Sequence, residues 1–171
     1  REVDRGLLMK MNNLQTHRGP DQQGLHFEPG IGLGHRRLSI IDLASGEQPM
    51  FNEDETVVVS YNGEIYNFPT LREELIAAGH EFKTSCDTEV IVHGWEEWGD
   101  SCVQRFRGMF AFAIYDRRAQ SLFLARDRIG IKPLYYSFTQ SGFLIFASEM
   151  KSVLAHPDVA REIDSFAVEE Y

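Results

Sequence analysis

The sequence predicts an α+β fold built on antiparallel strand pairing. Helical periodicity occupies residues 2–14, and two further helical stretches lie in the middle of the chain. From residue 109 onward, short β runs follow one another with turns rather than helices between partners. Consecutive strands argue for hairpin pairing and against a parallel βαβ array, where each strand is followed by a crossover helix.

Each element rests on its own local signal. Val3, Leu7, Leu8, Met11 and Leu14 fall on one helical face. His17-Arg18-Gly19-Pro20-Asp21 then breaks the pattern as a tight loop. Residues 32–43 predict a strand running into a turn, and residues 57–61 a second strand followed by Asn62-Gly63, a strong turn signal. Pro69 opens a helix whose apolar face is Leu71, Leu75 and Ile76, with Gly79 closing it. Residues 81–84 predict a short strand. A helix over 88–98 follows, capped by Ser85 or Asp87 and ended by Gly99. The runs 109–115, 121–125, 134–138 and 143–147 predict four strands. Residues 116–120 and 140–142 join two pairs of them, and 126–133 connects the pairs. A last helix runs from Ser148 through Val153 and Leu154 to His156-Pro157.

Composition narrows the function classes. With 43% hydrophobic and 25% charged residues, the 171-residue chain has the texture of one globular domain, or of one domain plus a stub of a second. The domain is expected over 1–160. The charged tail 161–171, helical in texture, reads as the lead into a further segment. A net charge of −9 with no dense Lys/Arg run argues against nucleic acid as a partner. No apolar run approaches the ~20 residues needed to span a bilayer, so no membrane is expected and the cytoplasm is the default compartment. The first residue is Arg rather than Met, so the natural start is expected upstream.

Several residues carry a chemical reading beside a structural one. Asn62-Gly63 reads either as a hairpin turn or as an oxyanion hole, where a side-chain amide and a backbone N–H point the same way. Of Arg36 and Arg37, strand alternation lets only one face a pocket. Paired arginines commonly form a solvated face, but a guanidinium also clamps an α-carboxylate through two parallel hydrogen bonds. Asp87 is either a helix N-cap or a carboxylate for an ammonium group. Six histidines show no HxxxH or HxH spacing, so no metal site is expected. Cys86 and Cys102 are expected to be inert buried thiols, forming no disulfide framework. No stretch matches a nucleotide-binding glycine motif.

Taken in order, these stretches resemble one family. His17-Arg18-Gly19-Pro20-Asp21, Gly32-Leu33-Gly34-His35-Arg36-Arg37-Leu38-Ser39-Ile40-Ile41-Asp42 and Tyr61-Asn62-Gly63-Glu64-Ile65-Tyr66-Asn67 resemble class II glutamine amidotransferases of asparagine synthetase type. So do Asp87-Thr88-Glu89-Val90-Ile91, Gly108-Met109-Phe110-Ala111-Phe112-Ala113, Ala125-Arg126-Asp127-Arg128, Gly130-Ile131-Lys132-Pro133-Leu134-Tyr135-Tyr136 and Ala147-Ser148-Glu149-Met150-Lys151. Each is weak alone; the ordered set is specific and covers nearly the whole chain.

The resemblance implies an N-terminal-nucleophile (Ntn) hydrolase fold, a four-layer α/β/β/α sandwich of two antiparallel sheets. It implies a mature chain that begins with cysteine, whose thiolate attacks the side-chain amide of glutamine with its own α-amine as base. An α-amine with a pKa of about 7.7–8.0 suits that task at neutral pH. By the same resemblance, Arg37 binds the glutamine α-carboxylate, and Asp87, helped by Glu64, binds its α-ammonium. Asn62 and the Gly63 N–H form the oxyanion hole, and the Ile41 backbone lines the pocket.

No cofactor is implied for this domain. ATP and Mg are implied for a synthetase domain following residue 171, the partner in asparagine biosynthesis, and the family allows a homodimer. The departures lie at the ends, where the leading Cys and the synthetase domain would stand, and at Cys86, where the family commonly carries a small hydroxyl residue. A chain that begins at Arg1 is therefore expected to be inactive. The alternatives are a non-catalytic glutamine-binding or regulatory module, or an amidotransferase acting on another acceptor such as an exopolysaccharide sugar.

Overall fold

The computed structural model describes residues 2–38 and 46–163, together with Phe166 and Glu169. In chain order its elements are α1 (Arg5–Asn13), β1 (Gln22–Glu28), β2 (Ile31–Arg37), β3 (Met50–Phe51), β4 (Val57–Ile65), α2 (Phe68–Ala77), α3 (Glu89–Trp98), α4 (Cys102–Arg105), β5 (Gly108–Asp116), β6 (Ser121–Arg126), β7 (Tyr135–Phe138), β8 (Leu144–Ala147) and α5 (Met150–Val153). All strand pairs are antiparallel, as expected for an α+β chain. One sheet has the order β3-β4-β5-β6, and the pairs β1-β2 and β7-β8 form two further ladders. Ile41 and the turn expected after β2 lie outside the described residues, as does most of the 161–171 tail.

Three apolar clusters separate four layers. Tyr61 and Ile65 of β4, with Phe110, Phe112 and Ile114 of β5, pack against Leu71 and Leu75 of α2 and Val90, Ile91 and Val92 of α3. On the other face of the same sheet, Val58, Ala113 and Tyr115 meet Leu33 of β2 and Phe146 of β8. A third cluster joins Ile145 and Ala147 of β8 to Met11 of α1 and Val153 of α5. The order is helices, sheet, strands, helices: the α/β/β/α sandwich. Strand alternation produces it, because odd residues of β4 face the helices and even ones face the second β layer. Ile91 is fully buried in the first cluster. Ile91→Val should therefore cost about 1 kcal/mol, read as a lower urea midpoint at unchanged m-value.

Most expected elements form, three local expectations are corrected, and β1 is a strand that the sequence did not lead us to expect. Residues 81–84 are not a strand: carboxylates take their N–H groups, Glu53 that of Glu81 (3.1 Å) and Glu89 those of Lys83 and Thr84 (2.7 Å each). Neither Ser85 nor Asp87 caps α3; Thr88 stands at the cap position without a side-chain hydrogen bond. Asn62-Gly63 is not a turn, since β4 continues to Ile65 with Asn62 opposite Ala111 and Gly63 opposite Phe110. Strand β1, with polar Gln22-Gln23 at its start, has no apolar run of its own and is set by pairing with β2 along its whole length.

The family-like motifs outside the pocket have structural uses. Asp127 is buried and accepts from the N–H groups of Ile131 (2.8 Å), Lys132 (2.9 Å) and Phe110 (3.2 Å), which folds the 126–133 connection back onto β5. Burial opposes its ionisation, but those N–H groups hold its carboxyl below the usual range. Glu149 binds His17 (2.8 Å) and Lys151 (3.0 Å), joining the first loop to the start of α5.

Candidate functional site

The open edge of β4 builds one end of the site. Strand β3 pairs only with Val58 and Val59, so among the described residues β4 runs on unpaired along that edge. Side chains take up its N–H groups: Tyr61 N donates to Gln48 Oε1 (2.6 Å) and Ile65 N to Asp87 Oδ2 (2.9 Å). By strand alternation the Gly63 N–H lies between these two on the same edge, and the Asn62 side chain faces the second β layer. Gly63 is required by a close approach: a Cβ there would stand 2.3 Å from Met109 O and 2.8 Å from the Tyr61 ring.

Asp87 is fixed by the fold and not by its own helix. Its Oδ2 accepts from Tyr61 Oη (2.6 Å) as well as Ile65 N, and the carboxylate reaches the cavity from the start of α3. Burial and the adjacent Asp87 charge push the Tyr61 phenol well up, so it remains a donor at any working pH. Glu89, two residues on, holds Lys83 N, Thr84 N and Thr84 Oγ1 and so shapes the loop carrying Cys86 and Asp87. Burial would raise the Glu89 pKa, but those donors and His93 lower it to about 2.

Arg37 ends β2. Its carbonyl accepts from Asp21 N (3.1 Å), and its Nη1 donates to Gln22 Oε1 (3.1 Å). Gly19 lets the first loop lie directly on this strand end, because a Cβ there would stand 2.4 Å from the Arg36 carbonyl carbon. Arg36 donates to Asn13 of α1, yet it too lines the cavity, so both arginines border it and not one alone. The Arg37 guanidinium meets the Cys86 side of the site at Gly46, where a Cβ would be 3.2 Å from Arg37 Nη2 and 3.5 Å from Cys86 Sγ.

A cavity of about 1050 Å³ is lined by Arg37, Asn62, Gly63, Glu64 and Asp87 together. Residues far apart in sequence thus meet around one space, with Ile41 outside the described residues. The charged pair Arg37 and Asp87 can hold a zwitterion, and the Asn62-Gly63 edge offers donors to an oxygen. Tyr61 and Gln48, which anchor this arrangement, were not singled out from sequence. Strand alternation was the available signal for Tyr61. The two cysteines differ: Cys102 is buried, which pushes its thiol up to about 12, whereas Cys86 is half-buried, lines the cavity and lies 3.0 Å from Thr84 Oγ1.

His35, also on the cavity wall, is held neutral: burial and the Arg37 charge lower its pKa to about 4. In the unfolded chain it would titrate near about 6.5. The unfolded state therefore binds more protons between those values. The stability His35 contributes is full above about 6.5 and is lost as pH falls toward about 4, on the order of 2 kcal/mol. His35→Gln should flatten that part of a stability-against-pH curve from chemical denaturation. An unchanged slope in the variant would contradict the assignment.

Comparison with known proteins gives one family. The family model for a glutamine amidotransferase domain matches residues 1–171. The chain is 42% identical to asparagine synthetase [glutamine-hydrolyzing] 3 of Bacillus subtilis, covering 94% of this chain and 26% of that protein. It is 47% identical to asparagine synthetase [glutamine-hydrolyzing] 2 of Arabidopsis thaliana, covering 89% of this chain and 26% of the relative. The chain thus spans about a quarter of the length of these relatives. Among solved structures, the glutamine phosphoribosylpyrophosphate amidotransferase of B. subtilis superposes with a TM-score of 0.59 over 72% of this chain and 29% of that one, at 22% identity, a likeness of fold.

Proposed function

The chain belongs to the glutamine amidotransferase domain family, and from that premise we propose that it hydrolyses the side-chain amide of L-glutamine and supplies the ammonia to an ATP-dependent synthetase domain of the same longer polypeptide. The observation that carries this reading is the meeting of Arg37, Asp87 and the Asn62-Gly63 edge around one cavity. Glutamine has an anion and a cation at one end and a reacting amide at the other. Arg37 takes the α-carboxylate, Asp87 the α-ammonium, and the exposed Glu64 adds negative charge beside it.

The nucleophile in this reading is an N-terminal cysteine preceding Arg1. Its thiolate adds to the amide carbon, and the carbonyl oxygen becomes an oxyanion facing the Asn62 amide and the Gly63 N–H. The α-amine moves the thiol proton to the departing nitrogen, ammonia leaves, and water cleaves the thioester to glutamate. Cys86 is unsuited to this role because no free α-amine stands beside a mid-chain thiol.

The test is glutamate release from L-glutamine by the full-length polypeptide and by its Asn62→Ala and Arg37→Ala variants. Turnover that depends on both residues supports the assignment. Turnover indifferent to both sinks it. The amidated acceptor, aspartate or another carboxylate or sugar, is selected by the synthetase part and read from product analysis.

A further inference from the structure

Away from the cavity, two histidines and two glutamates converge on one point. Glu53 comes from the β3–β4 turn, His80 from the loop after α2, and His93 and Glu96 from adjacent turns of α3. One ligand atom from each of the four lies within 4.8 Å of all the others. His93 Nδ1 is 3.2 Å from Glu96 Oε2 and 3.5 Å from Glu53 Oε2, and His80 Nδ1 is 3.7 Å from Glu96 Oε2. Metal–ligand bonds of about 2.0–2.1 Å in a tetrahedron put neighbouring ligand atoms about 3.3 Å apart. Small side-chain shifts would thus bring the four onto one ion.

We propose that Glu53, His80, His93 and Glu96 form a structural binding site for a divalent transition metal of zinc type, distinct from the glutamine-facing cavity. None of the four lines that cavity. Two nitrogens and two carboxylate oxygens make a set suited to zinc.

The surroundings favour a cation at this point. Glu96, Glu53 and His80 each have an outer hydrogen-bond partner that fixes their orientation, the arrangement metal sites use. Asn52 Nδ2 holds the other oxygen of Glu96 (2.6 Å), and Glu81 N the other oxygen of Glu53 (3.1 Å). The far nitrogens meet carboxylates too: His80 Nε2 faces Glu97 (3.3 Å) and His93 Nε2 faces Glu89 (3.6 Å). His93 is 1% exposed, and its Nε2 makes no hydrogen bond. Among the described residues, the ion pairs of Glu53, Glu89, Glu96 and Glu97 are all with these two histidines, so no lysine or arginine offsets the carboxylates.

The site also connects to the functional loop. His93 faces Glu89, and Glu89 holds the backbone of Lys83 and Thr84 just before Cys86 and Asp87. An ion here would pin α3 to the 80–86 loop and steady that approach to the cavity.

The test is titration of the chelator-stripped protein with Zn²⁺ and, separately, Co²⁺. The expected result is one ion per chain, with the visible absorption of tetrahedral Co²⁺. His80→Ala and Glu53→Gln sit on surface loops and should stay folded by circular dichroism while losing at least roughly tenfold in Zn²⁺ affinity. Arg37→Ala should bind Zn²⁺ as the parent does, which separates this proposal from the glutamine assignment. Failure of the parent to bind either ion, or affinity unchanged in both loop variants, would overturn it.

Discussion

Asn62→Ala is expected to lower kcat for glutamine hydrolysis by roughly 10²–10³-fold and to leave KM nearly unchanged. Asn62 faces the second β layer from β4 and lines the cavity, and the Gly63 N–H follows on the strand edge. Both would meet the substrate oxygen most strongly once it carries charge, so removing one donor acts on the transition state. Pairing with Ala111 on β5 holds Asn62 in register, and the substitution leaves that backbone ladder intact. The variant should accordingly match the parent in thermal stability. A KM rise with unaltered kcat would instead make Asn62 a ground-state contact. Steady-state glutamate release distinguishes the two.

Arg37→Ala carries the second large effect, a KM increase of roughly 10–100-fold with kcat altered much less. A bidentate guanidinium–carboxylate pair is made equally in the ground and transition states, so its loss weakens binding uniformly. Arg37→Lys should recover only part of it, since an ammonium is a point charge without the planar fork. The Asp21–Arg37 backbone bond and the β1–β2 ladder do not depend on the Arg37 side chain and hold the strand end in place, so the effect reports on binding and not on folding. Initial rates over a range of glutamine concentrations give both constants.

The layers of this fold were legible wherever the local signal and the tertiary demand agree. Helices α2 and α3 carry apolar periodicity and close on Gly79 (φ 103°) and Gly99 (φ 57°), left-handed positions suited to glycine. Strands β5 to β8 follow from their apolar runs. The misreadings cluster around the site, where local rules yield to other uses of the same groups. Asn62-Gly63 has the composition of a turn, yet the ladder with β5 carries the strand through it, and Gly63 serves a close backbone approach. Asp87 has the composition of a cap, yet Tyr61 and Ile65 claim its carboxylate. The pairing of His80 with His93 follows from how α2 packs on α3, which no ligand-spacing rule along the chain encodes. Arg37, Asn62, Gly63, Glu64 and Asp87 were recognisable as a set from the ordered motifs. Their meeting in space depends on β2, β4 and the α3 approach assembling first.

The most direct measurement is covalent trapping in the full-length polypeptide with a γ-diazoketone analogue of glutamine, followed by peptide mass mapping. Such a reagent is an electrophile that borrows the α-carboxylate and α-ammonium contacts of the substrate. The predicted result is a single label on an N-terminal cysteine upstream of Arg1, slowed by excess L-glutamine and by Arg37→Ala. Label on Cys86, or labelling that glutamine does not protect against, would contradict the account.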